Sequence, residues 1–318
     1  MRIGVDLGGT KIEAIALADD GRVLARERVP APRGVYRATI EAIVALVSTV
    51  RTRAGNAQAS VGIGIPGAVS PATGLVKNAN STWLIGRPLE RDLAESLGQA
   101  VRIENDANCF AVSEATDGAA AGASVVFGVI LGTGVGAGIV VDGRPLRGRM
   151  AIAGEWGHNR LPLGDDPACL AIEWPGPACY CGRRGCIETF LSGPALAALH
   201  QAAYPRTDIA TAESLIDAMR AGDEAAIASF SLYLDRLARA LASVINVLDP
   251  DVIVLGGGLS QVKEIYDELP LRWGRYVFSD RVDTRLVAPL HGDASGVRGA
   301  AWLWPAVGQR LQGPARAH

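Results

Sequence analysis

The chain is 318 residues long, 49% hydrophobic and 20% charged, with a net charge of -2; it is too long for a single core to be the natural expectation, so two domains are expected. The near-neutral balance and the lack of any basic run exclude a general pull toward nucleic acid or anionic lipid, leaving small molecules as the expected partners. Five cysteines, three of them between 179 and 186, make no secreted disulfide framework, and Met1 runs into RIGVDLGG without a signal-peptide layout, so a reducing, cytoplasmic location is expected.

Residues 4–10 read GVDLGGT, an apolar strand followed by a Gly/Thr turn and a second strand. A turn without side chains lets backbone N–H groups approach an anion closely, with Gly8 and Gly9 as the turn and Thr10 and Lys11 adding donors. Asp6 is a carboxylate at the end of that apolar strand, costly there unless it holds a metal, water or hydrogen-bond donors, and it is the candidate for organising Mg2+. Further on, VRIENDANCFAVSEA reads as a strand running into a helix, with Asp106 where an N-cap or first-turn carboxylate is favoured. Cys109 on that helix is expected in the core.

Residues 118–141 carry no charged side chain and are long enough to cross a bilayer. Asp117 and Asp142 close the stretch, however, and glycine is dense within it. The better parse is two buried strands, SVVFGVIL and GAGIVV, joined by a turn that contains Gly132, Thr133 and Gly134. Gly132, Gly134 and Ala137 also satisfy a dinucleotide fingerprint, but that motif must open a helix, and here the chain continues as IVVDGRPL, a strand ending in an Asp-Gly hairpin signal. Either glycine turn alone is most simply a tight hairpin. Both run on to similar tails, DGRVL at 20–24 and DGRPL at 142–146, so the chain reads as a duplication whose two hairpins converge on phosphate in one cleft.

Cys179, Cys181 and Cys186 can surround one ion if the turn at Gly182 and Gly185 folds back, and His158 could complete a tetrahedral set. The C-x-C-x4-C spacing differs from the common C-x2-C, so spacing alone leaves zinc and buried free thiols as alternatives, with Cys169 a competing ligand. Glu155 and Glu188 flank the cluster and could accept hydrogen bonds from vicinal hydroxyls, or be solvated charges. The helical pattern over 230–250 stops at Pro250; DVIVLGGGLS is then a buried strand, a glycine turn and a helix capped at Ser260. Gly256, Gly257 and Gly258 would let a flat adenine lie against backbone, or would simply let a helix pack on a strand end. HGDASGVRGAAWLWP at 291–305 gives a turn and a small-residue helix.

DLGGTK (6–11), ENDANC (104–109), LGTGVGAG (131–138), GEWGH (154–158) and CYCGRRGCIE (179–188), in that order over nearly the whole chain, resemble the ROK family of sugar kinases and repressors. The resemblance implies an α/β fold of two duplicated lobes, actin/hexokinase-like and ribonuclease H-like, with a cleft between them and ATP held through hairpins. It implies Asp106 as the base that takes a proton from a sugar hydroxyl, Asn105 beside it on a neighbouring hydroxyl, and Glu155, His158 and Glu188 on the sugar. It also implies structural zinc at His158, Cys179, Cys181 and Cys186. Asn78, Asn80, Ser81 and Trp83 in KNANSTWLIG make a polar and aromatic lip suited to a carbohydrate, and this stretch looks closest to bacterial fructokinases of the mannofructokinase type.

The expected reaction is therefore ATP- and Mg2+-dependent phosphorylation of a hexose at its 6-hydroxyl, fructose first and mannose with it, with N-acetylglucosamine kinase or glucokinase as the alternative. A sugar-responsive repressor of the same family is disfavoured because such members carry a helix-turn-helix ahead of the first hairpin, which here begins at residue 4. Expected boundaries are 1–117 for the first lobe, 118–299 for the second and 300–318 for a helix returning to the first. A homodimer is a family expectation.

Overall fold

Gly8, Gly9 and Thr10 join β1 (Arg2–Leu7) to β2 (Lys11–Leu17) in an antiparallel hairpin with Leu7 opposite Ile12. β3 (Val23–Pro30) continues the antiparallel run after the Asp20-Gly21 turn, whereas β4 (Ser60–Ile65) and β7 (Val101–Asn105) join in parallel on the other side of β1, giving the order β3-β2-β1-β4-β7. Strands covered on both faces are near-continuous in apolar residues, and Ile3, Val5, Leu7, Val61, Ile63 and Ile65 are all buried. α1 (Tyr36–Ala54) and α2 (Leu89–Leu97) pack beside this sheet, and a small ribbon of β5 (Ala68–Val69) and β6 (Val76–Lys77) lies between them in sequence. α3 (Asp106–Thr116) starts directly where β7 ends, and Cys109 on it is fully buried, as expected.

The computed structural model describes residues 1–55 and 58–304. They divide into two units, the first holding Met1–Ser113, Arg149–Ala151 and the described chain from Ala294, the second holding Glu114–Gly148 and Ile152–Asp293. The last helix, α10 (Ser295–Trp302), belongs to the first unit and packs on β1, β2 and β4. Of the stretch 300–318 expected to form a returning helix, residues 305–318 lie outside the described residues.

The second unit repeats the first unit's sheet. β8 (Val125–Leu131) and β9 (Val135–Val141) form the second hairpin, and β10 (Arg144–Pro145) follows Asp142 and Gly143, whose φ angles of 48° and 71° are those the Asp-Gly signal demands. β11 (Val252–Gly256) and β12 (Arg285–Val287) add in parallel, so the order β10-β9-β8-β11-β12 matches the first sheet strand for strand in sense. The internal duplication read from the two glycine turns is therefore real at the level of topology. The uncharged stretch 118–141 is a hairpin, and no described helix is long and apolar enough to cross a membrane.

α4 (Pro167–Glu173), α5 (Glu188–Leu191), α6 (Gly193–Ala203), α7 (Ala212–Arg220), α8 (Glu224–Leu248) and α9 (Lys263–Trp273) complete this unit. α8 is capped at its start by the Asp223 side chain and ends at Asp249 in the left-handed region, just ahead of Pro250. Ser260 does not cap α9 as expected: a 3-10 turn, Gly258–Gln261, intervenes, and the buried Ser260 hydroxyl donates to the Gly257 carbonyl at 2.7 Å. The three glycines prolong the turn past the point where a cap would be needed.

Candidate functional site

In the first unit the candidate groups gather at the ends of β1 and β7. Gly8 donates its N–H to the Lys11 carbonyl at 3.0 Å, and Gly9 and Thr10 are exposed at the tip. Gly8 thus spends its donor on closing the turn, and an anion held at this tip draws on Gly9, Thr10 and the exposed Lys11 instead. Asp6 stands opposite Glu13 in the register. Burial first, then the nearby carboxylates of Asp106 and Glu13, push the Asp6 carboxyl up to about 7. Glu13 stays charged: burial opposes it, but hydrogen bonds from Arg26 and Arg28 hold its carboxyl below the usual value. A carboxyl whose charge burial and like charges disfavour is one that a bound cation would stabilise in its ionised form, so Asp6 fits as a Mg2+ ligand.

Asp106 is the first residue of α3, with Oδ1 accepting from the Ala107 N–H at 2.8 Å. Asn105, expected beside a sugar hydroxyl, is turned toward the start of the helix. Its Oδ1 accepts from the N–H groups of Ala107 (2.9 Å) and Asn108 (3.3 Å), and its Nδ2 donates to the Gly67 carbonyl at 3.1 Å. It is the side chain that caps the helix, so most of its hydrogen-bonding capacity is committed to holding Asp106 in place. Asn78 and Asn80 are exposed, Asn78 with a φ of 55°, and the Ser81 hydroxyl lies 3.9 Å from where a Cβ on Gly9 would stand, which sets this segment beside the first hairpin. Trp83 is no lip: its indole packs on the core and donates to Thr39 Oγ1 at 3.2 Å.

In the second unit, Gly132 donates to the Gly134 carbonyl at 3.0 Å, closing the turn as Gly8 does, and Thr133 is exposed at the tip. The GEWGH motif is built against this hairpin. Gly154 has a φ of 93°, and a Cβ on Gly157 would stand 2.0 Å from the Val135 carbonyl oxygen. Only glycine lets the 3-10 turn Glu155–His158 lie so close to β9. Trp156 anchors the turn, its ring edge-on to Phe127 at 5.8 Å and its Nε1 donating to the Ala240 carbonyl at 3.3 Å. Glu155 and His158, on either side of this anchor, are half-buried. Gly157→Ala is expected to destabilise the protein by at least about 2 kcal/mol, since the turn must move off β9; thermal denaturation checks it, and an unchanged melting temperature would contradict the packing account.

His158, Cys179, Cys181 and Cys186 present ligand atoms that all lie within 4.8 Å of one another. His158 Nδ1 is 3.6 Å from Cys179 Sγ, and Cys181 Sγ is 3.6 Å from Cys186 Sγ. Donors on one tetrahedral zinc, at about 2.3 Å for sulfur and 2.0–2.1 Å for nitrogen, would be about 3.5–3.8 Å apart, so the set fits. Gly182 and Gly185, with φ of 86° and 72°, make the fold-back that the spacing required. Cys169 stands outside the group, its thiol toward Asp166 at 3.7 Å.

Two features of this loop escaped sequence reasoning. Glu173, fully buried, takes hydrogen bonds from Arg236 Nε (3.0 Å) and from Arg239 Nη1 (3.0 Å) and Nη2 (2.7 Å). The Gly164 N–H adds a further bond at 3.1 Å. Burial opposes its charge, but the two arginines hold its carboxyl below the usual value, so the segment between His158 and Cys179 is bolted to α8. Two arginines within the apolar run YLDRLARALASV were the available signal, because buried guanidinium groups require a buried acid.

The second feature is the bond made to the second hairpin by Glu188, itself an expected sugar ligand. The first residue of α5, two positions after Cys186, it accepts the Val135 N–H at 2.9 Å, and its carboxylate lies 2.6 Å from where a Cβ on Gly134 would stand. One oxygen of this expected sugar ligand is therefore tied to the second hairpin. Gly257, expected on the adenine side, approaches the Leu131 carbonyl, which a Cβ there would reach at 2.4 Å, whereas Gly258 meets nothing within 4 Å. Close packing on the strand end is what Gly257 provides.

The sequence profile described as the ROK family matches residues 2–307. An N-acetyl-D-glucosamine kinase of Escherichia coli is 43% identical over 304 residues, covering 95% of this chain and 99% of that protein. Among solved structures, a ROK hexokinase from Thermus thermophilus is 31% identical with a TM-score of 0.82, covering 95% of this chain and 96% of that one. A ROK family glucokinase from Streptomyces griseus, solved with glucose and AMPPNP, is 30% identical with a TM-score of 0.75, covering 95% and 98%.

Proposed function

This chain belongs to the ROK family and is an ATP-dependent sugar kinase, and from that premise we propose that it phosphorylates N-acetyl-D-glucosamine at the 6-hydroxyl. The observation that carries the choice of sugar is the 43% identity with the Escherichia coli N-acetyl-D-glucosamine kinase across almost the full length of both chains. The fructose preference expected from residues 77–86 loses its footing, because the Escherichia coli relative that covers almost the full chain is an N-acetyl-D-glucosamine kinase, and because Trp83, the aromatic part of that lip, packs against the core and bonds to Thr39.

On this reading the chemistry is divided among the side chains according to the roles proposed for them. Asp106 takes the proton of the acceptor hydroxyl as its oxygen attacks the γ-phosphorus of ATP; the bond to the β–γ bridging oxygen breaks, and ADP leaves. Tip amides at Gly9, Thr10, Thr133 and Gly134, with Lys11, meet the negative charge of the phosphates. Asp6 would hold Mg2+, which when bound neutralises phosphate charge. Glu155 and Glu188 accept hydrogen bonds from sugar hydroxyls, and His158 with Cys179, Cys181 and Cys186 would hold zinc as a structural ion that fixes both acids. An ADP-release assay over N-acetylglucosamine, glucose, mannose and fructose tests the choice of sugar.

A further inference from the structure

We infer that Arg33 is a positioning residue for ATP: by holding the Gly9 carbonyl it keeps the tip of the first glycine hairpin turned so that an amide rather than an oxygen meets phosphate. The inference rests on the phosphate role proposed above for this hairpin. Arg33 lies just beyond the end of β3, in the run Pro30-Ala31-Pro32-Arg33-Gly34. Its Nε donates to the Gly9 carbonyl at 2.9 Å. Earlier in the same run, the Ala31 N–H donates to the Thr10 carbonyl at 2.9 Å. Both carbonyls of the tip are therefore held by one segment, and Pro30 and Pro32 fix the backbone φ on either side of Ala31.

Peptide geometry decides what this clamp leaves for a ligand. The Gly9–Thr10 peptide is trans, so its C=O and N–H point to opposite sides. A Gly9 carbonyl directed at Arg33 turns the Thr10 N–H away from Arg33. Gly9 and Thr10 are both exposed, and Gly9 has no Cβ to restrict rotation about its own backbone bonds. Without the guanidinium the peptide between them is free to turn over, and its oxygen, the negative end of the dipole, would then face the phosphates in place of the N–H. The glycine that lets phosphate come close is the residue that leaves the amide direction undecided. Arg33 decides it.

The test compares Arg33→Ala, which removes the bond, with Arg33→Gln, which keeps it without the charge, because the glutamine Nε2 stands as many bonds from the backbone as the arginine Nε. The Kd for ATP is measured by titration calorimetry, KM and kcat for ATP and for the sugar by coupled ADP release, and the melting temperature by denaturation. The expected result for Arg33→Ala is a rise of about fivefold in Kd and KM for ATP, with kcat and the sugar KM within about twofold and the melting temperature within about 2 °C of the wild type. Arg33→Gln should return the ATP values to within about twofold. Unchanged ATP affinity in Arg33→Ala, equal weakening toward the sugar, or an Arg33→Gln variant as weak as Arg33→Ala would each overturn the inference, the last because it would make the charge rather than the bond the active property. Lys11→Ala separates this outcome from failure of the hairpin reading. A raised KM for ATP in Lys11→Ala with none in Arg33→Ala overturns the inference alone, whereas unchanged values in both overturn the phosphate role of the hairpin and the inference with it.

Discussion

Asp106→Asn is expected to lower kcat by about a thousandfold or more while leaving the melting temperature within about 2 °C of the wild type. The separation of the two effects comes from the geometry at the start of α3. Oδ1 of Asp106 accepts one backbone N–H, from Ala107, and an asparagine keeps an oxygen there. The cap proper is Asn105, which satisfies Ala107 and Asn108 and ties itself to Gly67. The substitution therefore removes a proton acceptor without removing a cap. A kinase whose other work is positioning and charge neutralisation retains sugar and nucleotide binding under that change, so both should still bind when turnover is gone. Near-normal turnover in the variant would remove the base from the mechanism.

Cys186→Ser is expected to reduce bound zinc from about one per chain to near zero and to lower kcat/KM by about a hundredfold, through KM for ATP as well as for sugar. Cys186 is buried, and its sulfur lies against Cys181 Sγ. Its backbone pairs with Arg160, and its carbonyl accepts both the N–H and the hydroxyl of Thr189. Two residues beyond it, Glu188 holds the Val135 N–H at the base of the Gly132-Thr133-Gly134 turn. Slack in the cysteine loop is thus passed to the second glycine hairpin, proposed to hold phosphate, as well as to the acid proposed to bind the sugar. Structural zinc contributes about 10–16 kcal/mol in small zinc-finger peptides; even a fraction of that is large beside a whole-protein stability of about 5–15 kcal/mol, so the melting temperature should fall too. Elemental analysis and denaturation of the purified variant check this, and a metal-free yet fully active preparation would contradict it.

The hairpins, the duplication and the cysteine turn were legible in the sequence because each is a local pattern whose geometry is dictated by glycine. Gly132 to Gly134 cannot open a helix when a β-branched run follows, and Asp142-Gly143 needs the positive φ angles that the chain adopts. Gly182 and Gly185 between Cys181 and Cys186 made a fold-back available, and the chain takes it with positive φ at both glycines. What the sequence concealed depends on packing across long separations. Nothing local shows that Trp83 reaches Thr39 on α1, or that the 3-10 turn after β11 frees Ser260 from capping. Glu173 and Arg239, 66 residues apart, look like surface charges until α4 is laid on α8. The capping by Asn105 was hidden for a subtler reason: an amide at a strand end serves a hydroxyl or a helix equally well in sequence, and here its Oδ1 accepts from the helix.

The central claim, an acceptor hydroxyl on N-acetylglucosamine deprotonated by Asp106, is tested most directly by measuring kcat/KM for N-acetylglucosamine, glucose, mannose and fructose through coupled ADP release. N-acetylglucosamine should exceed each of the others by about tenfold or more. Turnover of fructose with none of N-acetylglucosamine would contradict the account and restore the acceptor that residues 77–86 first suggested.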